Sequence, residues 1–305
     1  LIEQLKKIIP EENIYFNEPM DKHTTFRVGG QASYFLRITK EEEITNLVKS
    51  LYQSNTPYFI LGNGSNLLVS DYGYEGVMVY IGDGFSDIRR EGTRLIVDAG
   101  AYLSKVSKFA MEAGLGGLEF ASGIPGTIGG GVVMNAGAYD GDMGQVVESI
   151  RAIDETGQLI TIDRAGMEFD YRTSLAKKKH LVITQVTLRL VSREKEEIRA
   201  KMNEFSALRK EKQPLEYPSA GSTFKRPEGY YAGKLIMDAG LKGYQIGGAQ
   251  ISEKHAGFLI NRGSATADDI AKVIQKTQEI VLQDSGIVLE PEIIYVGKFE
   301  METKG

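Results

Sequence analysis

Two glycine-rich stretches carry the chemistry that reads most directly from this sequence. Residues 114–144 read GLGGLEFASGIPGTIGGGVVMNAGAYDGDMG, with eleven glycines in 31 residues. Leu115, Leu118, Phe120, Ile124, Ile128, Val132, Val133 and Met134 are threaded between them. A flexible linker would carry polar residues there. Glycine interleaved with apolar residues implies backbone packed so closely that a Cβ has no room. Two readings fit: tight turns between buried strands, or a backbone cradle whose N–H groups meet an anion such as phosphate. The second stretch, LGNGSNLLV at residues 61–69, follows the strand-like Pro57-Tyr58-Phe59-Ile60. Gly126 to Gly131 lacks the order G-x-G-x-x-G, and no Lys-Ser or Lys-Thr follows, so the nucleoside-triphosphate loop is excluded. Two such loops could clamp a dinucleotide pyrophosphate without a Rossmann unit. Ser65 and Asn66 either add hydrogen-bonding groups to that clamp or close the turn on itself.

Three other segments hold polar residues in places that could matter. Phe169-Asp170-Tyr171-Arg172-Thr173-Ser174 is a turn with an arginine, which by itself reads as structural or solvent-facing. Ser219-Ala220-Gly221-Ser222-Thr223-Phe224-Lys225-Arg226-Pro227 is a loop whose Ser222, on residue type alone, is a cap or turn residue. Leu289-Glu290-Pro291-Glu292-Ile293-Ile294 sets a carboxylate inside an apolar strand pattern. Either that strand is an edge facing water, or the buried charge needs a partner.

At these residues the chain resembles a known family. GNGSNLLV followed by GIPGTIGGGVVMNAGAY resembles the FAD-binding domain of the vanillyl-alcohol-oxidase and p-cresol-methylhydroxylase type. From about Asn17 to Gly297 the sequence is similar to the bacterial UDP-N-acetylenolpyruvoylglucosamine reductases of the cell-wall pathway. The resemblance implies an α+β protein: a two-lobed FAD-binding domain over residues 1–192, with lobes about 1–75 and 76–192. A smaller α+β substrate-binding domain follows over 193–305. It implies non-covalent FAD held by Gly62, Asn63, Gly64, Ser65, Asn66, Leu67, Gly123, Ile124, Pro125, Gly126, Thr127, Gly129, Gly130, Asn135, Ala136 and Gly137. NADPH is the implied co-substrate. Covalent attachment through His23 is the minority alternative, and Arg27 in the TTFRVGG segment is a further candidate to approach the cofactor.

The resemblance also assigns roles. The arginine of its YRxS pattern is an active-site residue, which falls on Arg172, with Tyr171 lining the site. The serine of AGS-x-F is its proton donor, which falls on Ser222. Its catalytic glutamate falls on Glu292, with Glu290 as fallback because Pro291 blurs the register. Arg209 and Lys212 stand where the family meets the substrate diphosphate, and Gln245 in KGYQIGGA is a further substrate ligand. Arg226 stands where many relatives have Asn, which departs from the family pattern at a substrate contact. The implied substrate is the enolpyruvyl ether of a UDP-amino sugar. Hydride reaches its β-carbon, and negative charge then develops on the conjugated carboxylate. A guanidinium suits that charge because it is always cationic and forks onto a carboxylate. A hydroxyl can protonate a strongly basic enolate carbon when its alkoxide has hydrogen-bond support. Glu292 there must be protonated, or must hold a donor in place. An oxidase of sugars or alcohols on the same fold, and a flavin-binding module without turnover, are the competing readings.

Elements must position these groups. Helical spacing is read at residues 1–9, ending at Pro10, and at Lys40 to Ser54, where Ile44, Leu47, Val48 and Leu51 share a face. The latter, with its flanking strands and the strand after GNGSN, suggests a β–α–β lobe. Short strands are expected at Val77 to Ile81, Leu95 to Ala99, Ser149 to Asp154, Leu159 to Ile162 and Leu181 to Leu190. Helices are expected at Ser104 to Ala113, 193–212, and Ala232 to Ala239. Thr266 to Gln283 is the clearest helix, with Thr266 and Asp269 approximating a capping box.

Composition narrows the partners. The chain has 305 residues, 42% hydrophobic and 25% charged, ordinary for a globular protein, and 35 glycines. With no cysteine, thiolate zinc sites, disulfides and cysteine nucleophiles are excluded. The three histidines, His23, His180 and His255, are far apart, so no metal is expected. A net charge of −5 argues against nucleic-acid binding. No apolar run approaches the ~20 residues of a membrane span, and no signal peptide is read. A cytoplasmic monomer is expected.

Overall fold

The structure is a computed structural model and describes residues 1–300. The chain divides into two compact units that each have their own apolar core. The first comprises Leu1–Phe16, Tyr34–Asn63 and Gly76–Leu208; the second comprises Asn17–Ser33, Gly64–Glu75 and the described residues from Arg209 onward.

The first unit is built on an antiparallel five-stranded sheet. Its order is Leu159–Asp163, Val147–Ile153, Val182–Arg189, Arg94–Asp98, Ile88–Glu91. Alternation is visible in the central strand, where Val182, Thr184, Val186 and Leu188 are buried and Gln185 and Thr187 less so. A second, four-stranded sheet has the order Ile14–Pro19, Gln31–Arg37, Tyr74–Tyr80, Tyr58–Leu61. Helix Glu41–Gln53 buries Ile44, Leu47, Val48 and Leu51, the face its spacing implies. Its strand Tyr58–Leu61 runs parallel to Val77–Tyr80. The parallel partner is thus not the strand after the GNGSN loop. Leu67–Val69 instead pairs in parallel with Ile294–Val296, in the second unit.

The N-terminal spacing yields only one helical turn, Ile2–Leu5. The chain then tightens through i→i+3 bonds such as Ile8 N–H to Leu5 O, while Leu5 and Ile9 are buried. So short a segment cannot sustain a helix by itself, and packing decides its path.

The glycine-rich stretch contains a helix that the sequence reading did not anticipate, Ile128–Val133. Thr127 caps it, accepting a hydrogen bond from Gly130 N–H. Three glycines in six residues oppose helix formation. Packing supplies the reason for two of them: a Cβ on Gly129 would lie 2.8 Å from the Ala99 side chain, and one on Gly131 would lie 3.0 Å from Leu103.

The second unit centres on a four-stranded antiparallel sheet in the order Ser219–Ser222, Phe258–Asn261, Ala249–Ile251, Gln245–Ile246. Helix Ala267–Ser285 packs on it, burying Ile270, Val273, Ile274, Thr277 and Val281. Its capping box is complete: Thr266 Oγ1 accepts from Asp269 N–H, and Asp269 accepts from Thr266 N–H. Asp71 adds both carboxylate oxygens to the same end, accepting from the N–H groups of Ala267 and Asp268 at 2.9 Å. Gly286 ends the helix in the left-handed conformation.

Candidate active site

In the first unit the two glycine loops meet. Asn63 Nδ2 donates to Pro125 O at 2.6 Å across 62 residues. Gly62 lies against Thr127, where a Cβ would come within 2.5 Å of Thr127 Oγ1. The N–H groups of Ile128 and Gly129, at the start of the glycine helix, are already used by Ala101 O and Ala99 O. Among the described residues, the N–H groups of Asn63, Gly123, Gly126 and Thr127 make no hydrogen bond. The same holds for Gly64, Ser65 and Asn66 in the second unit. Both readings of the glycines are thus partly realised: some close the backbone onto its neighbours, and the turns keep donors available for an anion. The donors on the first unit's turns fit a phosphate-bearing cofactor such as FAD.

Arg172 stands in the first unit at the tip of a tight turn. Asp170 and Thr173 exchange both backbone hydrogen bonds at 3.2 Å, leaving Tyr171 and Arg172 as the loop. Arg172 has φ of 55°, a left-handed conformation that costs a non-glycine residue about 1–2 kcal/mol. Such strain clusters at functional sites. Its guanidinium lies 5.1 Å from the Tyr171 ring centre, and Nη2 donates to Gly137 O at 3.1 Å. The turn is anchored by Asn135, which is buried: Nδ2 donates to Asp170 O at 3.0 Å, and Oδ1 accepts from Gly144 N–H at 2.9 Å. The Asn135 side chain therefore holds the arginine turn, a role that its place in the cofactor motif did not signal. Asn135, Phe169, Tyr171 and Arg172 line one open groove of about 910 Å³.

In the second unit the AGS strand and the glutamate segment run side by side. Phe224 and Pro291 form an antiparallel bridge, Glu292 N–H donates to Thr223 O at 2.9 Å, and Lys225 N–H donates to Glu290 O at 2.8 Å. Ser222 and Glu292, 70 positions apart in sequence, are thus set on adjoining backbone. Ser222 ends its strand and is exposed, following Gly221 at φ of 77°. Glu292 is partly buried and precedes the strand Ile294–Val296, not inside it as the apolar pattern suggested. Glu290 is exposed, and its carboxylate pairs with Lys225, a residue that the sequence reading did not single out.

The remaining candidates are placed as follows. Arg209 and Lys212 occupy the last turn of helix Lys195–Lys212, where Lys254 Nζ donates to Lys210 O at 2.7 Å. A cation there also complements the helix dipole. Arg226 lies 3.9 Å from the centre of the Tyr231 ring, and its Nε donates to Tyr230 O. Gln245 is exposed and bonded to Gly247 O and to Gln250 Nε2. His23 pairs with Glu18 at 2.9 Å, and Arg27 is exposed with φ of 56°. Among the described residues no helix is long and apolar enough to cross a membrane.

Comparison with known proteins gives these sites a family. Residues 32–163 match the FAD binding domain family, and residues 213–296 match the UDP-N-acetylenolpyruvoylglucosamine reductase C-terminal domain. The UDP-N-acetylenolpyruvoylglucosamine reductase of Caldanaerobacter subterraneus subsp. tengcongensis is 49% identical, over 98% of this chain and 98% of its own. That of Clostridium perfringens is 48% identical over 94% of each chain. The crystal structure of the Thermus caldophilus reductase superimposes with a TM-score of 0.81 at 34% identity, covering 93% of this chain and 98% of that one. With an FAD-binding domain and the reductase C-terminal domain in one chain, the protein belongs to the UDP-N-acetylenolpyruvoylglucosamine reductase family.

Proposed function

We propose that the chain uses NADPH and FAD to reduce the enolpyruvyl group of UDP-N-acetylenolpyruvoylglucosamine, giving UDP-N-acetylmuramate for peptidoglycan precursor synthesis. The observation that carries this reading is the Glu292 N–H to Thr223 O bond, which sets the serine and glutamate motifs of the family on adjoining backbone. When bound, FAD would provide the hydride chemistry, with NADPH as the source of electrons. The residues assigned to hold FAD are those of the two glycine loops, Gly62 to Leu67, Gly123 to Thr127, Gly129 and Gly130, with Asn135 to Gly137. FAD is non-covalent, the enzyme is a cytoplasmic monomer, and residues 193–305 form the substrate-binding domain.

Arg172 binds the substrate carboxylate and neutralises the charge that develops as the double bond is reduced. Its forked donors match the two oxygens. Ser222 delivers the proton to the carbon bearing the ether oxygen, completing the saturated lactyl ether. Glu292 acts beside that charge as a neutral acid or by holding a donor. Tyr171 lines the site, Arg209 and Lys212 take the diphosphate, and Arg226 and Gln245 contact the sugar nucleotide. The family favours this reductase over an oxidase. Anaerobic holoenzyme should lose its yellow colour on adding NADPH and regain it on adding the enolpyruvyl substrate, with UDP-N-acetylmuramate found by mass spectrometry. Substrate-dependent oxygen consumption without NADPH would support the oxidase instead. Colour unchanged by NADPH would leave a binding module.

A further inference from the structure

The hairpin beside Arg172 is built against its own backbone preferences. Gly137–Ala138 and Gly141–Asp142 pair antiparallel, Ala138 opposite Gly141 and Gly137 opposite Asp142. The two residues between them, Tyr139 and Asp140, both have positive φ, 51° and 63°. A two-residue loop with both φ values positive is a type I′ turn, which favours Asn-Gly or Asp-Gly. Aspartate tolerates that conformation, but a bulky side chain there is an outlier. Gly141 is pressed on the Phe120 ring, which a Cβ would approach to 2.6 Å.

The tip is held by side-chain contacts. The Tyr139 ring stacks on Phe205 with centroids 4.2 Å apart and planes 4° from parallel. Tyr139 Oη donates to Phe205 O at 3.3 Å, and Phe205 is buried. Gln145 Nε2 donates to Asp140 O. At the base of the same hairpin, Gly137 O accepts from Arg172 Nη2. The ladder has only two residue pairs, so the contacts at its tip add restraint to the left-handed turn.

We propose that Tyr139 is a positioning residue for Arg172: its stack on Phe205 keeps the strained hairpin in place, and the hairpin orients the guanidinium through the Gly137 carbonyl. This rests on the reading that Arg172 binds the substrate carboxylate. Helix Lys195–Lys212, which carries Phe205, thereby helps set the charge that meets the substrate.

The test compares Tyr139→Phe, Tyr139→Gly, Phe205→Leu and Arg172→Lys with the double variant Tyr139→Gly/Arg172→Lys, all as FAD-loaded enzyme. Glycine accepts the turn conformation but removes the stack, and phenylalanine keeps the stack. Two readouts are needed: the substrate Kd of oxidised enzyme without NADPH, which involves no turnover, and kcat. Tyr139→Phe should stay within about twofold. Tyr139→Gly should weaken substrate binding and lower kcat by about tenfold each, measured at saturating FAD, within the range of coupled neighbours. In the Arg172→Lys background the same change should add less than about twofold. If Tyr139→Gly does not fold, Phe205→Leu removes the stack from the other side and carries the same expectation. An unaltered Kd and kcat without the stack, alongside a damaged Arg172→Lys, would overturn the positioning role and leave the arginine reading intact. Fully additive effects would also overturn it, since Tyr139 would then act elsewhere. A fully active Arg172→Lys would remove the arginine reading itself and this inference with it.

Discussion

Asn66 holds the segment that carries Glu292. Its Nδ2 donates to Glu292 O at 3.1 Å, and its own carbonyl accepts from Ile294 N–H at 2.9 Å, across more than 220 residues of sequence. The last residue of GNGSN is therefore a structural tie as well as a candidate cofactor contact. Asn66→Ala should lower the unfolding free energy by about 1–3 kcal/mol, because the Glu292 carbonyl loses its donor. Urea unfolding of the FAD-free protein separates this from any loss of cofactor. An unchanged midpoint would reduce Asn66 to the cofactor role alone.

Gly62→Ala should cost FAD affinity. The new methyl carbon would lie 2.5 Å from Thr127 Oγ1, so one glycine loop must shift from the other. Thr127→Ala in the same chain removes that oxygen and should restore part of the affinity, at the expense of the helix cap on Gly130. Fluorescence titration of FAD into stripped protein measures both. Equal affinity in all three proteins would show that the loops can separate freely.

Arg172→Gly should separate stability from activity. The residue sits at φ of 55°, which glycine adopts without penalty. Thermal unfolding should occur at the same temperature or higher, while turnover falls by roughly 10²–10³, the usual loss for a missing charge-stabilising donor. A variant that melts early with normal turnover would make Arg172 a structural residue.

Ser222→Ala should divide the two halves of turnover. Bleaching by NADPH needs no proton from this hydroxyl and should keep its rate. Recovery of colour with the enolpyruvyl substrate should slow by roughly 10²–10⁴, the range for a positioned acid. Anaerobic stopped-flow absorbance resolves the two. Equal slowing of both would mean that Ser222 shapes the cofactor pocket, and no slowing would pass the proton to Glu292.

His255 should make the second unit acid-sensitive. Burial, with Lys242 adding a like charge, holds its imidazole below the ordinary value of 6.5. Its Nδ1 accepts from Gly257 N–H at 3.0 Å, and Gly257 O accepts from Thr223 N–H beside Ser222. Below about pH 6.5 the unfolded chain binds a proton that the folded chain resists, so stability falls as the pH falls. Urea midpoints between pH 7.5 and 5.5, chosen to bracket the ordinary histidine range, should decline more steeply for the unmodified protein than for His255→Gln. Parallel profiles would count against the histidine.

Local features were legible from the sequence because their causes are local. The buried face of Glu41–Gln53 and the capping box of Ala267–Ser285 follow from spacing and from two side chains at one helix end. The paired glycine loops and the AGS and glutamate motifs were likewise visible as strings of residues. What lies outside the reach of spacing is pairing between distant segments. Leu67–Val69 is an apolar triplet that would suit several partners, and only the assembled second unit selects Ile294–Val296. The helix Ile128–Val133 exists against its glycine content because Ala99 and Leu103 occupy the space that side chains would need. Tyr139 and Arg172 carry no sequence sign of a left-handed backbone, since neither is glycine, asparagine or aspartate. Residue type set which groups could do chemistry; tertiary contacts, which alone can hold a strained backbone, decided how those groups are aimed.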